Sequence, residues 1–455
     1  MKINFHEFEK KNYLNNNIYD YIIIGSGPAA VTLYKKILSI NKRSQILMIE
    51  QGDFKKKSFK GVSSKYLKIK LKSRAFTVGG TSSIWSNISS YFEEFEMISR
   101  WRNKKEYLWP LKYNSLLKMY NEIDNKYEFH FKKLKKKKIN IPFEVRPFIA
   151  TTRPKNFKKF INEKEIDLVY NCKINSIDEN KKIAIAYSKN NKINFKAKKI
   201  IVCCGGIESV NLIQNSITQK KLKNIKNKNL IGKFFMDHPK FNLGYLKYPN
   251  LDTIKQIELK KTKDIIFYYG ISLKKATQKK NNVLNTYVRF EKSNSKLYRL
   301  LNKLNISIFN RILQNKPIYK VRLFCEMMPN INNHIISKKE EIFVNFKFSK
   351  IDMKTIKLLS LKIKNFFSYK PEKEKNFKVD LVKNIIDDAS HHMGGLRYNH
   401  NKNLSNVDRN LKLIGLKNIY ICSSAIFPTS GSVNPTMTIC ALSNRLGKHL
   451  NKKFR

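Results

Sequence analysis

Two glycines and a glutamate are the first residues whose spacing suggests chemistry. In "YIIIGSGPAA" (21–30) an apolar run stops at Gly25-Ser26-Gly27, and Ala30 stands where a third glycine often sits. A strand that turns this tightly into a helix can bring its backbone against a pyrophosphate, held at the positive end of the helix. A second apolar run, "QILMIE" (45–50), ends in Glu50. Its carboxylate can accept hydrogen bonds from ribose hydroxyls and would repel a 2′-phosphate. Strand, glycine turn, helix and acidic residue in this order form a dinucleotide fingerprint. It disfavours NADP and leaves NAD and FAD both open. The cysteines at 172, 203, 204, 325, 422 and 440 have no CxxC and no metal-ligand spacing. Cys203 and Cys204 sit in an apolar run, where the thiol acts as a small hydrophobe. Reduced thiols, no metal and a cytoplasmic location are the expectation.

The elements that must position these residues can be read in outline. A chain of 455 residues is too long for one small core, so two domains, or one with a large insertion, are expected. Residues 28–40 read as a helix, and the Lys/Ser-rich stretch 53–73 as a loop. "FTVGGTSSIWSN" (76–87) is rich in glycine and serine, and Trp109-Pro110 opens a helix. From 165 strands return, ending in "KKIIVCCGG" and a helix after it. Between 240 and 350, "FNLGYLKY", "DIIFYYGISLKK", "VLNTYVRFEK", "IYKVRLFCEM" and "EIFVNFKFSK" have the composition and partial alternation of an antiparallel sheet. Asp352 can cap a helix whose Ile356, Leu359, Ile363, Phe366 and Phe367 recur at 3–4 spacing. A last helix begins at 435.

The charge is large: 91 Lys+Arg against 34 Asp+Glu, a net +57. The lysines are spread along the whole chain, and only "KKLKKKK" (132–138) is a dense block. A nucleic-acid site would concentrate its charge and use arginine for bidentate contacts. The excess therefore reads as the coding bias of an A/T-rich gene, and nucleic acid is not the expected partner. The rival reading is a basic binding protein without catalysis. No apolar run approaches the ~20 residues of a membrane span. The first twenty residues lack the apolar core of a secretory signal.

"VGGTSSIW" (78–85), "IIVCCGGIES" (200–209) and "FPTSGSVNPTMTICALSNRLGKHL" (427–450) follow the opening motif in order. Together they resemble the glucose–methanol–choline (GMC) family of FAD-dependent oxidoreductases. Trp109-Pro110 matches a helix start of that family. "IGKFFMDHP" (231–239) is similar to a segment common in its bacterial members. "HHMGGLRYNHNKNLSNVDRNLKLIGLKNIYICSSAIFPT" (391–429) runs parallel to its C-terminal signature. The resemblance implies a mixed fold, α/β plus α+β. A discontinuous Rossmann-like FAD-binding domain would come from 18–95, 165–240 and 388–455. A substrate domain built on an antiparallel sheet would come from 241–387 with part of 96–164.

The same resemblance implies roles. Gly25, Gly27, Ala30 and Glu50 would hold the ADP half of FAD. Gly79, Gly80, Thr81 and Ser82 would run beside the pyrophosphate and flavin. Ile174 would lie on the strand that meets the adenine. Asn434-Pro435-Thr436 would lie by the flavin ring, with the following helix aiming its positive end at it. Some relatives tether FAD through a histidine where this chain has Ile84, so the FAD is expected to be non-covalent. His391 aligns with the catalytic base, and Asn434 with a partner that orients the substrate oxygen. A residue of near-neutral pKa is what removal of a hydroxyl proton needs. His392 should point the other way as a packed histidine, and His238 should be structural. His400 and His449 read as surface residues. The implied activity is oxidation of a CH–OH group of a small alcohol or sugar-like substrate by hydride transfer to flavin, with oxygen, a quinone or a redox protein as acceptor. The alternative is another FAD-fold reductase or isomerase.

Overall fold

The dinucleotide motif lies on a sheet of eight strands. In the computed structural model the described residues are 1–10, 18–97, 108–131, 139–152, 156–162, 166–188, 191–246, 251–292, 319–338, 341–367, 370–371 and 386–452. The basic block 132–138 lies outside them. The sheet runs in the order Lys2–Asn4, Asp167–Tyr170, Ile46–Ile49, Ile18–Ile24, Lys192–Val202, Ile183–Tyr187 and Ile174–Asp178, with Ile419–Ile421 also paired to Lys192–Val202. The first five and Ile419–Ile421 are mutually parallel, and the remaining pairings are antiparallel. Tyr21–Ile24 and Ile46–Ile49 are buried throughout, as parallel strands covered on both faces must be. Lys192–Val202 serves two neighbourhoods. Its first half pairs with Ile183–Tyr187 and its second with Ile419–Ile421, which brings the C-terminal region beside the glycine turn. The sheet also takes in Lys2–Asn4, ahead of residue 18, and the following Phe5 and Phe8 pack on Phe195.

A second sheet carries the aromatic segments. Its order is Lys260–Lys261, Ile265–Leu273, Tyr287–Lys292, Tyr319–Phe324, Lys240–Leu246, Ile386–Asp387 and Leu67–Lys68. Phe143–Thr151 pairs along the whole of Ile265–Leu273. One face is apolar through Leu243, Ile271, Val288, Val321 and Leu323, and packs in one cluster with Ile356, Leu359, Ile363 and Phe367 of the helix Lys350–Phe367. Phe366 is 44% exposed and lies outside that stripe. The helix start differs from expectation. Asp352 lies in the first turn and accepts from Ser349 N at 2.6 Å, while Ser349 Oγ accepts from Asp352 N at 3.1 Å. This reciprocal box makes Ser349 the cap. On the other face Phe148, Tyr268, Tyr287 and Phe324 form a stack with ring centroids 4.7–5.0 Å apart.

"EIFVNFKFSK" leaves this sheet. Glu341–Asn345 joins His334–Lys338 and Ser63–Lys65 in a separate three-stranded sheet. The stretch 53–73 is therefore not all loop: two short strands lie in it, and Leu67–Lys68 reaches the second sheet. Among the described residues no helix is long and apolar enough to cross a membrane.

Candidate active site

A cavity of about 530 Å³ opens at the C-terminal ends of the parallel strands, where Ile24, Ile49 and Cys203 border it. This is the usual ligand crevice of an open α/β sheet. Three helices present their N-termini to it: Pro28–Ile40 through Gly27 and Pro28, Gly205–Thr218 through Gly205 and Gly206, and Thr436–Lys452 through Pro435 and Thr436. Each N-terminus adds free N–H groups and positive potential for an anionic ligand.

The glycine turn fits a dinucleotide on two counts. Gly25 has φ +100°, and a Cβ there would lie 2.6 Å from the Cys203 carbonyl oxygen, so no side chain is tolerated. Gly27 has an ordinary φ of −72°. A Cβ there would meet nothing within 4 Å and would project into open space. The glycine keeps clear the approach to the helix N-terminus. Ser73 Oγ also borders the cavity, buried and without a hydrogen-bond partner. Glu50 is buried and borders the cavity too. It accepts from Ser26 N at 3.0 Å, Ser26 Oγ at 2.6 Å and Gly52 N at 2.8 Å. Burial pushes its carboxyl pKa up. Ser26 Oγ in turn accepts from Gly79 N at 3.0 Å, which ties the turn to the glycine-serine segment.

His391 and Asn434 border the same cavity. Asn434 Nδ2 donates to His391 Nε2 at 2.8 Å. His391 Nδ1 lies 3.0 Å from His238 Nδ1. His238 Nε2 lies 2.9 Å from the Gly431 carbonyl oxygen and 3.2 Å from that of Ser430. Burial, with His238, Lys240 and His392 nearby, holds the His391 pKa well below the usual histidine value. The ring is therefore neutral at pH 7 and free to accept a proton.

Two buried carboxylates hold the His391 loop. Asp237 accepts from Ala389 N and His391 N, both at 2.8 Å. Asp388 Oδ2 lies 3.0 Å from His392 Nε2. Ser390, just before the two histidines, takes φ +63°. His391 turns toward Asn434 and His392 toward Asp388. Asp237, Asp388 and His392 lie within 4.8 Å of one another, but each is engaged with protein partners, which reads as scaffold. The Asn434 loop has its own clamp. Glu96 accepts from Ser432 N and Oγ, both at 2.8 Å, and from Arg146 Nη1 at 2.9 Å. Trp109 Nε1 donates to Thr429 Oγ1 at 2.7 Å.

Of the residues singled out from sequence, Gly25, Gly27, Glu50, Gly80, Thr81, Ser82, Ile84, Ile174, His391, Asn434, Pro435 and Thr436 border one cavity. Ala30 does not: it is fully buried in the core. Gly79 is set back from the cavity, its N–H spent on Ser26. His238 is buried but is not merely packing, since it touches His391. His400 is exposed and His449 half-buried. Asp237, Glu96, Arg146 and Ser432 escaped the sequence reading. Asp237 and Ser432 lie inside the quoted segments 231–239 and 427–450 without being singled out there, and Glu96 and Arg146 lie in no quoted motif.

Residues 341–443 match the family model described as GMC oxidoreductase. Solved structures share the fold over nearly the whole chain. A formate oxidase aligns at 11% identity over 96% of this chain and 98% of its own, with TM-score 0.65. Pyridoxine 4-oxidase from Mesorbium loti aligns at 11% over 96% and 99%, TM-score 0.61. A fungal aryl-alcohol oxidase aligns at 9% over 96% and 100%, TM-score 0.61. A sequence search of curated proteins finds no match. The match at 341–443 and the shared fold bear out the resemblance read from the sequence: the C-terminal part fits the GMC oxidoreductase model, and the chain as a whole has the fold of these oxidases.

Proposed function

We propose that this enzyme oxidises a CH–OH group of a small alcohol or sugar-like substrate, with His391 as the base and with FAD bound non-covalently. The observation that carries the reading is the 2.8 Å hydrogen bond from Asn434 Nδ2 to His391 Nε2 at the cavity. The imidazole nitrogen accepts in that bond, so it carries a lone pair. A substrate hydroxyl that displaces this bond meets an acceptor for its proton at His391 Nε2 and a donor for its oxygen at Asn434 Nδ2. His391 takes the O–H proton at Nε2. The Asn434 amide steadies the negative charge that develops on oxygen. The chemistry that FAD supplies when bound is acceptance of the hydride from carbon. Gly25, Gly27, Glu50, Gly80, Thr81, Ser82, Ile174, Pro435 and Thr436 are the residues that would hold it. Ile84 offers no atom for a covalent link.

The test is a yellow protein exposed to a panel of alcohols and sugars without oxygen. Bleaching of the flavin band by a member of the panel supports the proposal. Bleaching by reduced nicotinamide alone supports the reductase reading instead. Oxygen uptake measured beside dye reduction then assigns the electron acceptor.

A further inference from the structure

His238 has a role that a packed histidine would not have. Among the described residues its Nε2 faces two acceptors and no donor, the carbonyl oxygens of Gly431 at 2.9 Å and Ser430 at 3.2 Å. Carbonyls cannot donate, so Nε2 must carry the proton. A neutral imidazole has one proton, which leaves Nδ1 of His238 a lone pair. That lone pair lies 3.0 Å from His391 Nδ1, so the His391 Nδ1 must be the donor. The His391 proton is then accounted for, and its Nε2 is left bare toward Asn434. The assignment starts at two backbone carbonyls and ends at the nitrogen facing the cavity. It agrees with the donor role of Asn434 Nδ2, which was reached from the opposite side of the ring.

We propose that His238 is a positioning residue that selects the reactive tautomer of His391, holding its proton on Nδ1 so that Nε2 is the base. The proposal rests on the reading of His391 as the base and adds the residue that prepares it. In the step itself the substrate O–H bond breaks and an Nε2–H bond forms. The Nδ1–H bond stays, still donated to His238. The orienting group is neutral, unlike the carboxylate that performs this task in serine hydrolases. A neutral partner does not raise the basicity of His391, which suits a base kept unprotonated by burial. The charged and titratable groups around the ring are His238, Lys240 and His392, with Asp237 on its backbone N–H. Burial also lowers the His238 pKa, consistent with its neutral form.

Two substitutions separate positioning from packing. His238→Asn keeps a carbonyl acceptor near the place of Nδ1 and loses the donor to Ser430 and Gly431. His238→Gln keeps a donor toward those carbonyls and loses the acceptor at Nδ1. Positioning predicts that the Asn variant retains most of the flavin-reduction rate, while the Gln variant loses on the order of 10²-fold at unchanged FAD content and little changed KM. A packing role predicts the reverse order. Nitrogen-15 NMR of histidine-labelled enzyme reads the tautomer directly. The expected result is the Nδ1-protonated form of His391 in wild type and His238→Asn, and a mixture in His238→Gln. An unchanged tautomer in His238→Gln, or a Gln variant faster than the Asn variant, overturns the proposal. If His391→Ala leaves flavin reduction intact, the base reading fails, and the NMR result still decides the role of His238.

Discussion

Asn434 donates a 2.8 Å hydrogen bond to His391 across 43 residues of sequence. The loops that carry the two side chains are held separately, by Asp237 on one side and Glu96 on the other. The two loops are thus held before any substrate arrives, so that binding has only to exchange the bond between the side chains for bonds to the substrate.

His391→Ala should keep the fold and FAD but slow flavin reduction by on the order of 10²-fold or more. Asn434→Ala should cost less, about 1–3 kcal/mol of barrier for a lost buried hydrogen bond. His392→Ala should behave differently, because it strips Asp388 of a buried partner. Its expected signature is a lower melting temperature at nearly unchanged rate. Stopped-flow absorbance and thermal melting distinguish the three. A His392 variant that melts normally but reduces no flavin would exchange the roles of the two histidines.

The pH dependence follows from burial. Burial holds the pKa of His391 well below the ordinary histidine value of about 6.5, so the ring stays unprotonated through neutral pH. The rate of flavin reduction should be flat across pH 6–8 and fall only in more acidic solution, and His391→Ala should lose that fall. Stability has the same sign. The unfolded chain binds protons at His391 and His238 that the folded chain does not, so this contribution is full above about 6.5 and declines as pH drops below it. An activity that falls between pH 8 and 7 would place the titrating group elsewhere.

What could be read from sequence was what lay close together in it. Gly25, Gly27 and Glu50 belong to one strand–turn–helix–strand unit, and local pattern reports such units well. His391 and Asn434 have no local pattern that marks them, and only the family resemblance paired them. Glu96, Arg146 and Ser432 meet across 50 and 336 residues, where neither periodicity nor spacing carries information. "EIFVNFKFSK" was legible as a strand from its β-branched and aromatic residues. Its sheet was not, because the partners Ser63–Lys65 and His334–Lys338 are chosen by tertiary packing. His238 was visible as a histidine, but its bond to His391 depends on a contact 153 residues away.

Gly27→Val tests the cofactor site. The backbone at Gly27 suits any residue, and a Cβ there meets no protein atom within 4 Å. The variant should therefore fold, yet its side chain would occupy the approach of the pyrophosphate. The expected outcome is a colourless protein with a cooperative melt. A yellow variant at full occupancy refutes the assignment of the turn.

Release of the flavin tests the linkage. With Ile84 at the cavity, acid or heat should free intact FAD into the supernatant. Flavin that stays with the precipitated chain identifies a covalent bond and a residue other than Ile84.

The clamp on the Asn434 loop yields the last prediction. Arg146 has a 9% exposed side chain and Glu96 none exposed, and Arg146 also faces Glu93 at 3.3 Å, which Lys275 holds at 2.8 Å. Arg146→Met removes the cation that faces both carboxylates, at a cost of about 3–5 kcal/mol. Glu96 would still accept from Ser432, but Arg146 Nη1 no longer reaches Ser432 Oγ at 2.6 Å. The Asn434 loop should loosen, and KM should rise together with a fall in the flavin-reduction rate. The double variant Arg146→Met, Glu96→Gln removes both charges while the glutamine oxygen can still accept from Ser432. It should recover much of the stability, and with it the rate, if the loop is what the pair serves. Recovery of the melting temperature without recovery of the rate would mean that Arg146 acts on the substrate itself and not through the loop.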